Sequence, residues 1–405
     1  MHTVSTLPRD QSEIRRHWAA VLACFACAVF AWGFGFYGQS VLLAEIARSR
    51  GWAVGVVSGA NTVFYLAGAL LLSLVHRTIA RFGPRSVLIA GALLLGAGAS
   101  LFARAATLFE LYAAALVMAL GWANASGAAI STTLACYFDR QRGLAISLAL
   151  NGASAAGFTV APLLLMLAQR DGLGRAVPEA AVLLLAVLLP LLALGLPRDG
   201  TIKAAAAARR ASGAPAPASV REVLRIGHFW TISIPFALVL LAQVGLIVHL
   251  VAFLGPRLGA HGTACAVALV AAAAMGGRLL LGLVIDRLDQ RRASAASFAS
   301  QAASLALMLA PSSKVTLYAG CALFGFSVGN VITFPALIIQ REFAASAFGL
   351  VIGLNMAIVQ LAFSAGPGLL GAIRDRAGGY GPAVALCMAC QLVAAALILY
   401  GRPRR

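Results

Sequence analysis

One arginine stands where an otherwise apolar segment should carry no charge. "AMGGRLLLGLVIDRLDQRR" runs from Ala274 to Arg292, and Arg278 lies between two apolar stretches of it. A guanidinium stays charged at any physiological pH. Arg278 precedes Asp286 by eight residues. On a helix that is roughly 12 Å, close to the middle of a hydrocarbon core about 30 Å thick. An arginine there costs about 2.5–3.5 kcal/mol on insertion scales, so it must face water or a partner. The acids do not supply that partner. Asp10, Glu13, Asp139, Asp199, Glu222, Asp286, Asp289 and Glu342 sit at one end of the apolar runs. Glu45, Glu110, Asp171, Glu179 and Asp375 sit at the other. A planar guanidinium binds a carboxylate through two parallel hydrogen bonds, so a bound anion is the natural counter-ion. The alternative is an arginine that bonds backbone carbonyls or snorkels to the surface.

Uncharged polar groups gather in the same kind of segment. The five asparagines, Asn61, Asn124, Asn151, Asn330 and Asn355, all fall in apolar runs, as do Gln39, Gln243, Gln360 and His249. Each alone could be glue between helices; together they point to a polar cavity. Tyr37 and Tyr65 could shape it, with Trp32 and Trp122. His249 is the titratable imidazole well inside a run, and it could carry a proton or simply bond a neighbour.

These groups need scaffolding that lipid tolerates. Of the 405 residues, 61% are hydrophobic and 11% charged, against about 25% charged in a soluble domain. Only helices and closed barrels satisfy their backbone in lipid, and these runs are far too long for barrel strands. The pattern predicts an all-α membrane protein with twelve spans, near 18–43, 53–76, 85–103, 108–137, 144–169, 179–196, 228–254, 261–285, 293–311, 314–340, 345–372 and 380–400. They divide into six-helix bundles at 18–196 and 228–400, with an N-tail at 1–17 and a basic C-tail at 401–405. The linker 197–227 contains the low-complexity "KAAAAARRASGAPAPAS" and ends in "SVREVLRIG". There Ser219 and Glu222 have capping-box spacing ahead of a short helix.

With the N-terminus inside, 21 basic residues fall in inside segments and nine in outside loops. This bias places both termini in the cytoplasm. It also accounts for the net charge of +18 without nucleic acid. The seven cysteines lie in apolar runs, and their two CxxC pairs, Cys24/Cys27 and Cys387/Cys390, lack the polar surroundings of a metal site. The first run is too long for a signal-peptide core. The halves echo each other: the fifth and eleventh spans each open on glycine, then carry an asparagine (Asn151, Asn355) and a proline (Pro162, Pro367). Such repeats are common in transporters, whose sites lie at midplane between them.

This architecture resembles the major facilitator superfamily, whose marker is a loop of the form G-x-x-x-D-R-x-G-R-R between spans two and three, repeated between eight and nine. The second copy keeps Gly282, Asp286, Arg287, Arg291 and Arg292; the first keeps Arg81, Gly83 and Arg85, with His76 and Ala80 in place of glycine and aspartate. The resemblance implies that these loops, with Asp139 and Arg142 after span four, gate the cytoplasmic face. "GWANASGAAISTTLACYFDRQRGLAISLALNGASAAG" is similar to the monocarboxylate-transporter branch and its bacterial relatives, including oxalate–formate antiporters. Arg278 with Gly282 matches that branch too. Two of its charges are absent: Ala274 stands where many members have aspartate, and span eleven has no lysine.

The expectation is therefore a secondary or facilitative transporter of a small organic anion, a monocarboxylate foremost, in a bacterial inner membrane. Arg278 is the anion site, and Tyr37, Gln39, Asn61, Tyr65, Asn124, Asn151, Gln243, Asn330, Asn355 and Gln360 are candidate lining residues. The resemblance implies a monomer. Substrate binding needs no cofactor or metal, and protons are a possible co-substrate through His249. An exporter of neutral hydrophobic compounds on the same fold is the alternative. A membrane enzyme or sensor is disfavoured, since no acid, base and nucleophile converge and no sizeable soluble domain is present.

Overall fold

The computed structural model describes residues 13–138, 141–197, 220–284, 288–310, 313–344 and 347–401. The alanine-rich linker, Ser219, Asp139, Asp286 and Arg287 lie outside the described residues. Every element among those described is helical. Ten helices are long and apolar enough to cross a membrane. Six come first: α1 (Glu13–Arg50), α2 (Val54–Phe82), α3 (Pro84–Arg104), α4 (Leu108–Leu134), α5 (Arg142–Asp171) and α6 (Leu173–Gly195). A short helix, Val220–Arg225, occupies the place where the capping box was expected.

The next run, Gly227–Val284, has 58 residues, which at 1.5 Å each is roughly 87 Å, nearly three bilayer cores. It cannot cross once. It breaks at Gly259, where φ is +68°, a region that favours glycine because a Cβ would clash. Its arms, 227–258 and 260–284, are numbered α7 and α8. The loop expected between 254 and 261 is thus reduced to one residue. Beyond it come α9 (Gln290–Leu309), α10 (Lys314–Glu342), α11 (Phe348–Ala377) and α12 (Gly381–Tyr400). α9 is the least apolar of the twelve because it buries Ser294, Ser297, Gln301 and Ser304. Several expected boundaries shift: α1 starts five residues early and ends at Arg50, and α10 runs on to Glu342.

Three spans are not continuous α-helix. α1 contains a π-helical turn at Gly33–Tyr37. α4 breaks at the extended Ser126. α10 breaks between Val331 and Phe334, where Pro335 cannot donate a helical hydrogen bond.

Packing repeats itself between 13–197 and 220–401. α1 packs on α5 as α7 does on α11, and α3 on α4 as α9 does on α10. A Cβ on Gly152 of α5 would overlap the Phe25 carbonyl of α1, and one on Gly366 of α11 would overlap the Leu241 carbonyl of α7. Small residues let backbones approach this closely, which is how helices associate in lipid. The exterior is apolar: Leu194 is 87% exposed, Phe109 83% and Val315 75%, which suits a lipid-facing surface and no aqueous one.

Candidate functional site

Arg278 lies on α8 where α8 meets α10. Gly277 sits against the Phe326 carbonyl, Gly325 against that of Val270, and Gly329 against that of Ala274. This interlock brings the Arg278 side chain to the end of the Lys314–Val331 half-helix, where Nε donates to the Gly329 carbonyl at 3.2 Å. The break in α10 explains that contact. The last carbonyls of a helix have no partner in their own helix and carry partial negative charge. The Arg278 Nε caps one of them. No hydrogen bond or ion pair to the terminal Nη1 and Nη2 groups occurs among the described residues. The side chain is half-buried.

Tyr37 approaches from the other half, close enough for phenol and guanidinium to interact electrostatically. It ends the π-helical turn "GFGFY". A π-turn widens the helix by one residue and leaves backbone carbonyls poorly matched to their own helix. Side chains take them up: Gln39 Nε2 donates to the Phe34 carbonyl at 2.9 Å and Tyr65 Oη to the Gly35 carbonyl at 3.0 Å. Tyr65 in turn packs edge-on to Phe363 of α11, 5.5 Å between centroids. Around the turn stand Trp32 and Trp122, 5.1 Å apart, with Gly35 beneath Trp122. The Tyr37 ring also covers Gly157 of α5, which touches Ala271 of α8. Ala271 is seven residues, two turns, before Arg278. α1, α5 and α8 therefore meet above the guanidinium.

The remaining candidates divide. Asn330 follows the capped Gly329; its amide nitrogen bonds Phe326 in its own helix, and its Oδ1 is buried without a partner among the described residues. Asn61 is fully buried, with neither amide atom partnered among the described residues. Asn151 and Gln360 are half-buried. Asn355 ties α11 to α7 through Ser233 at 3.0 Å. Asn124 bonds back to Leu120 in its own helix. Gln243 heads a buried amide chain: Gln391 donates to Gln301 at 2.8 Å and Gln301 to Gln243 at 3.1 Å, binding α7, α9 and α12. Gln39, Tyr65, Gln243 and Asn355 thus hold backbone or neighbouring helices in this arrangement. His249 is saturated: Nε2 donates to the Pro367 carbonyl at 2.9 Å, and Nδ1 accepts from Tyr380 at 3.0 Å.

Of the gate-motif residues, Gly83 has φ +82° and is followed by Pro84 at the start of α3, a turn only glycine makes without strain. Arg81 is exposed and stacks on Phe82 at 5.2 Å; Arg85 is half-buried and Arg142 exposed. Gly282 lies within α8. Arg291 is buried, with a bidentate pair to Glu342 at 2.8 Å and a bond to the Ile398 carbonyl at 3.1 Å. It joins the ends of α9, α10 and α12, and His228 of α7 meets the same carboxylate at 2.6 Å.

At the end of the molecule remote from the central linker, the halves are joined. α2 and α11 approach through Gly55, Gly368 and Gly371. Thr62 Oγ1 accepts from the Gly368 amide at 2.9 Å, and Asp375 Oδ2 accepts from the Gly55 amide at 2.6 Å. Beside this contact lies a cavity of about 800 Å³ bordered by Glu45, Arg48, Trp52, Gln169, Thr263 and Arg374. Toward the linker end, Gly143 of α5, Gly276 of α8 and Gly353 of α11 face open space.

Twelve helical passes in two repeated halves, with the Arg278 guanidinium between them, define a polytopic membrane transporter. The sequence profile of the Major Facilitator Superfamily matches residues 24–367, and the chain belongs to that superfamily. It is 23% identical over 393 residues, 92% of each chain, to an uncharacterized MFS-type transporter of Bacillus subtilis (strain 168), YcxA. It is 31% identical over 164 residues, 38% of this chain and 31% of the other, to monocarboxylate transporter 3 of Rattus norvegicus. The crystal structure of the nucleoside transporter NupG superposes with a TM-score of 0.76 at 11% identity, over 95% of this chain and 100% of that one, a likeness of fold.

Proposed function

We propose that this transporter carries a small organic anion, a monocarboxylate foremost, by alternating access, with Arg278 as its anion site and Tyr37 as a second donor. The observation that carries the reading is the divided guanidinium. Its Nε is fixed by the Gly329 carbonyl, while its Nη groups have no partner among the described residues. A carboxylate bridging them would neutralise the cation and take a hydrogen bond from the Tyr37 hydroxyl. The partial similarity to a monocarboxylate transporter supports the same substrate class. With both termini in the cytoplasm of a bacterial inner membrane, the joined end faces out. The chain then works as a monomer in an inward-facing state, with 18–196 and 228–400 as its moving bundles and no cofactor.

Reconstitution into liposomes tests this. Labelled lactate, pyruvate, formate and oxalate are offered to wild type and to Arg278→Ala, with and without unlabelled acid inside. Wild type is expected to move at least one of them, and the folded variant none. Unimpaired transport by the variant, or no carboxylate flux in wild type, removes the anion reading and leaves export of neutral compounds.

A further inference from the structure

Trp32 and Arg278 stand at one depth, one on each half. The level is set where the Tyr37 ring covers Gly157 of α5 and Gly157 touches Ala271 of α8. Odd-numbered passes cross the bilayer one way and even-numbered passes the other. Going back along α1 and α5 is therefore the same direction as going forward along α8. Five residues back on α1 is Trp32, seven back on α5 is Leu150, and seven forward on α8 is Arg278. Seven residues are two turns, roughly 10 Å. The π-turn decides which way Trp32 faces. It closes with the Gly38 amide on the Gly33 carbonyl, and a turn of five residues stacks Trp32 and Tyr37 on one face of α1. Regular winding would set them roughly 140° apart. Trp32 thus lies on the face from which Tyr37 meets the guanidinium.

The indole is held in place. Trp122 packs edge-on to it at 5.1 Å. Trp122 is itself fixed between Gly35 and Gly68, with Phe64 at 6.0 Å. The far end of the Trp32 ring lies against Gly127, beside the break in α4, with Leu150 next to that glycine. Trp32 is nonetheless only half-buried, as Arg278 is. Gly276, two residues before Arg278, faces open space. No arginine lies over the Trp32 ring among the described residues, so cation and indole are further apart than the roughly 6 Å of a cation–π contact. A ligand that bridges them needs an anionic group at one end and an apolar surface at the other. A flat ring suits the indole best, because aromatic pairs gain attraction beyond the area they bury. Formate or lactate would engage the guanidinium and leave Trp32 uncovered.

We infer that the carried anion is an aryl monocarboxylate of the benzoate class, with its carboxylate on Arg278 and Tyr37 and its ring packed on Trp32. Trp32 then sets specificity for the ring, and Arg278 for the charge. This deepens the organic-anion reading and rests on it.

The test is isothermal titration calorimetry on the full chain in lipid nanodiscs, which avoids the leak of undissociated acid through a vesicle wall. The ligands are benzoate, cyclohexanecarboxylate, lactate and benzamide. Wild type is expected to bind benzoate at least tenfold more tightly than lactate, and severalfold more tightly than cyclohexanecarboxylate, which has a ring without π-electrons. Trp32→Leu should weaken benzoate about tenfold and leave lactate within twofold, and Trp32→Phe should recover most of the loss. Unchanged melting temperature reports that each variant is folded. The inference is overturned if wild type binds benzoate no more tightly than lactate, or if Trp32→Leu weakens both acids alike. The anion reading survives either result where lactate binding requires Arg278. Benzamide bound as tightly as benzoate, or benzoate binding that persists in Arg278→Ala, removes the anion reading and this inference with it.

Discussion

The proposed function gives the guanidinium of Arg278 two jobs, and substitutions separate them. Arg278→Lys keeps the charge but loses both the fork and the Nε bond to Gly329. It is expected to retain measurable carboxylate flux with a KM raised at least tenfold, read in the liposome assay. Tyr37→Phe removes one hydrogen bond to a charged ligand, worth roughly 1.5–3 kcal/mol. It should raise KM by about tenfold or more while leaving the melting temperature in detergent unchanged. Arg278 itself was legible from sequence, because a charge inside an apolar run is conspicuous. Its anchor was not. Gly329 looks like any glycine in a span, and the freed carbonyl depends on the helix break between Val331 and Phe334, just ahead of Pro335. That proline was the available signal. The roles of the polar candidates were not legible: Gln243 and Asn355 read like Asn330, and only partners in distant helices show that they hold the bundle together.

Helix by helix, close backbone approach sets stability. Gly325→Ala and Gly329→Ala each push a Cβ into a carbonyl of α8. Overpacking of this kind costs roughly 1–3 kcal/mol. Both should melt at lower temperature in detergent, and Gly329→Ala should also impair transport by moving the Arg278 anchor. The amide chain gives a contrasting case. Gln301→Leu leaves Gln243 Oε1 and Gln391 Nε2 unpaired, at roughly 1–3 kcal/mol each, yet Gln301 touches nothing near Arg278. Thermal unfolding is expected to shift while KM stays fixed. The twelve helices were legible because hydrophobic length is a strong signal. The Gly259 corner and the breaks in α4 and α10 were not, since they change hydrogen bonding without changing composition.

At the scale of the whole molecule, α2 and α11 join the halves at one end, and the inward-facing state proposed above has them separate at the other. Single cysteines, introduced after replacement of the seven native ones, would report that difference. Cysteine at Gly353 should react with a membrane-impermeant maleimide applied from the cytoplasmic side. Cysteine at Gly368, packed on Thr62, should be protected from both sides. Equal labelling at the two positions would be incompatible with the inward-facing state. The six-plus-six division was legible from the alanine-rich linker. The joint between the halves was not, because Gly55 and Asp375 share no local pattern and meet only when both bundles are assembled.

The π-turn in α1 has a genetic meaning as well. It amounts to a single extra codon within "GFGFY". Removing one residue within the turn would return the helix to regular winding and leave the faces beyond it in place, because the wide turn absorbs the extra residue; removing one from the regular helix just before it would rotate everything beyond by about 100°. Gln39, Leu42, Leu43 and Glu45, buried now, would swing toward lipid. Tyr37 would leave Arg278. An in-frame deletion of three nucleotides is therefore expected to be better tolerated within these five codons than in the regular winding on either side. A library of single-codon deletions across residues 28–50, scored for transport and for membrane abundance, would show that local tolerance.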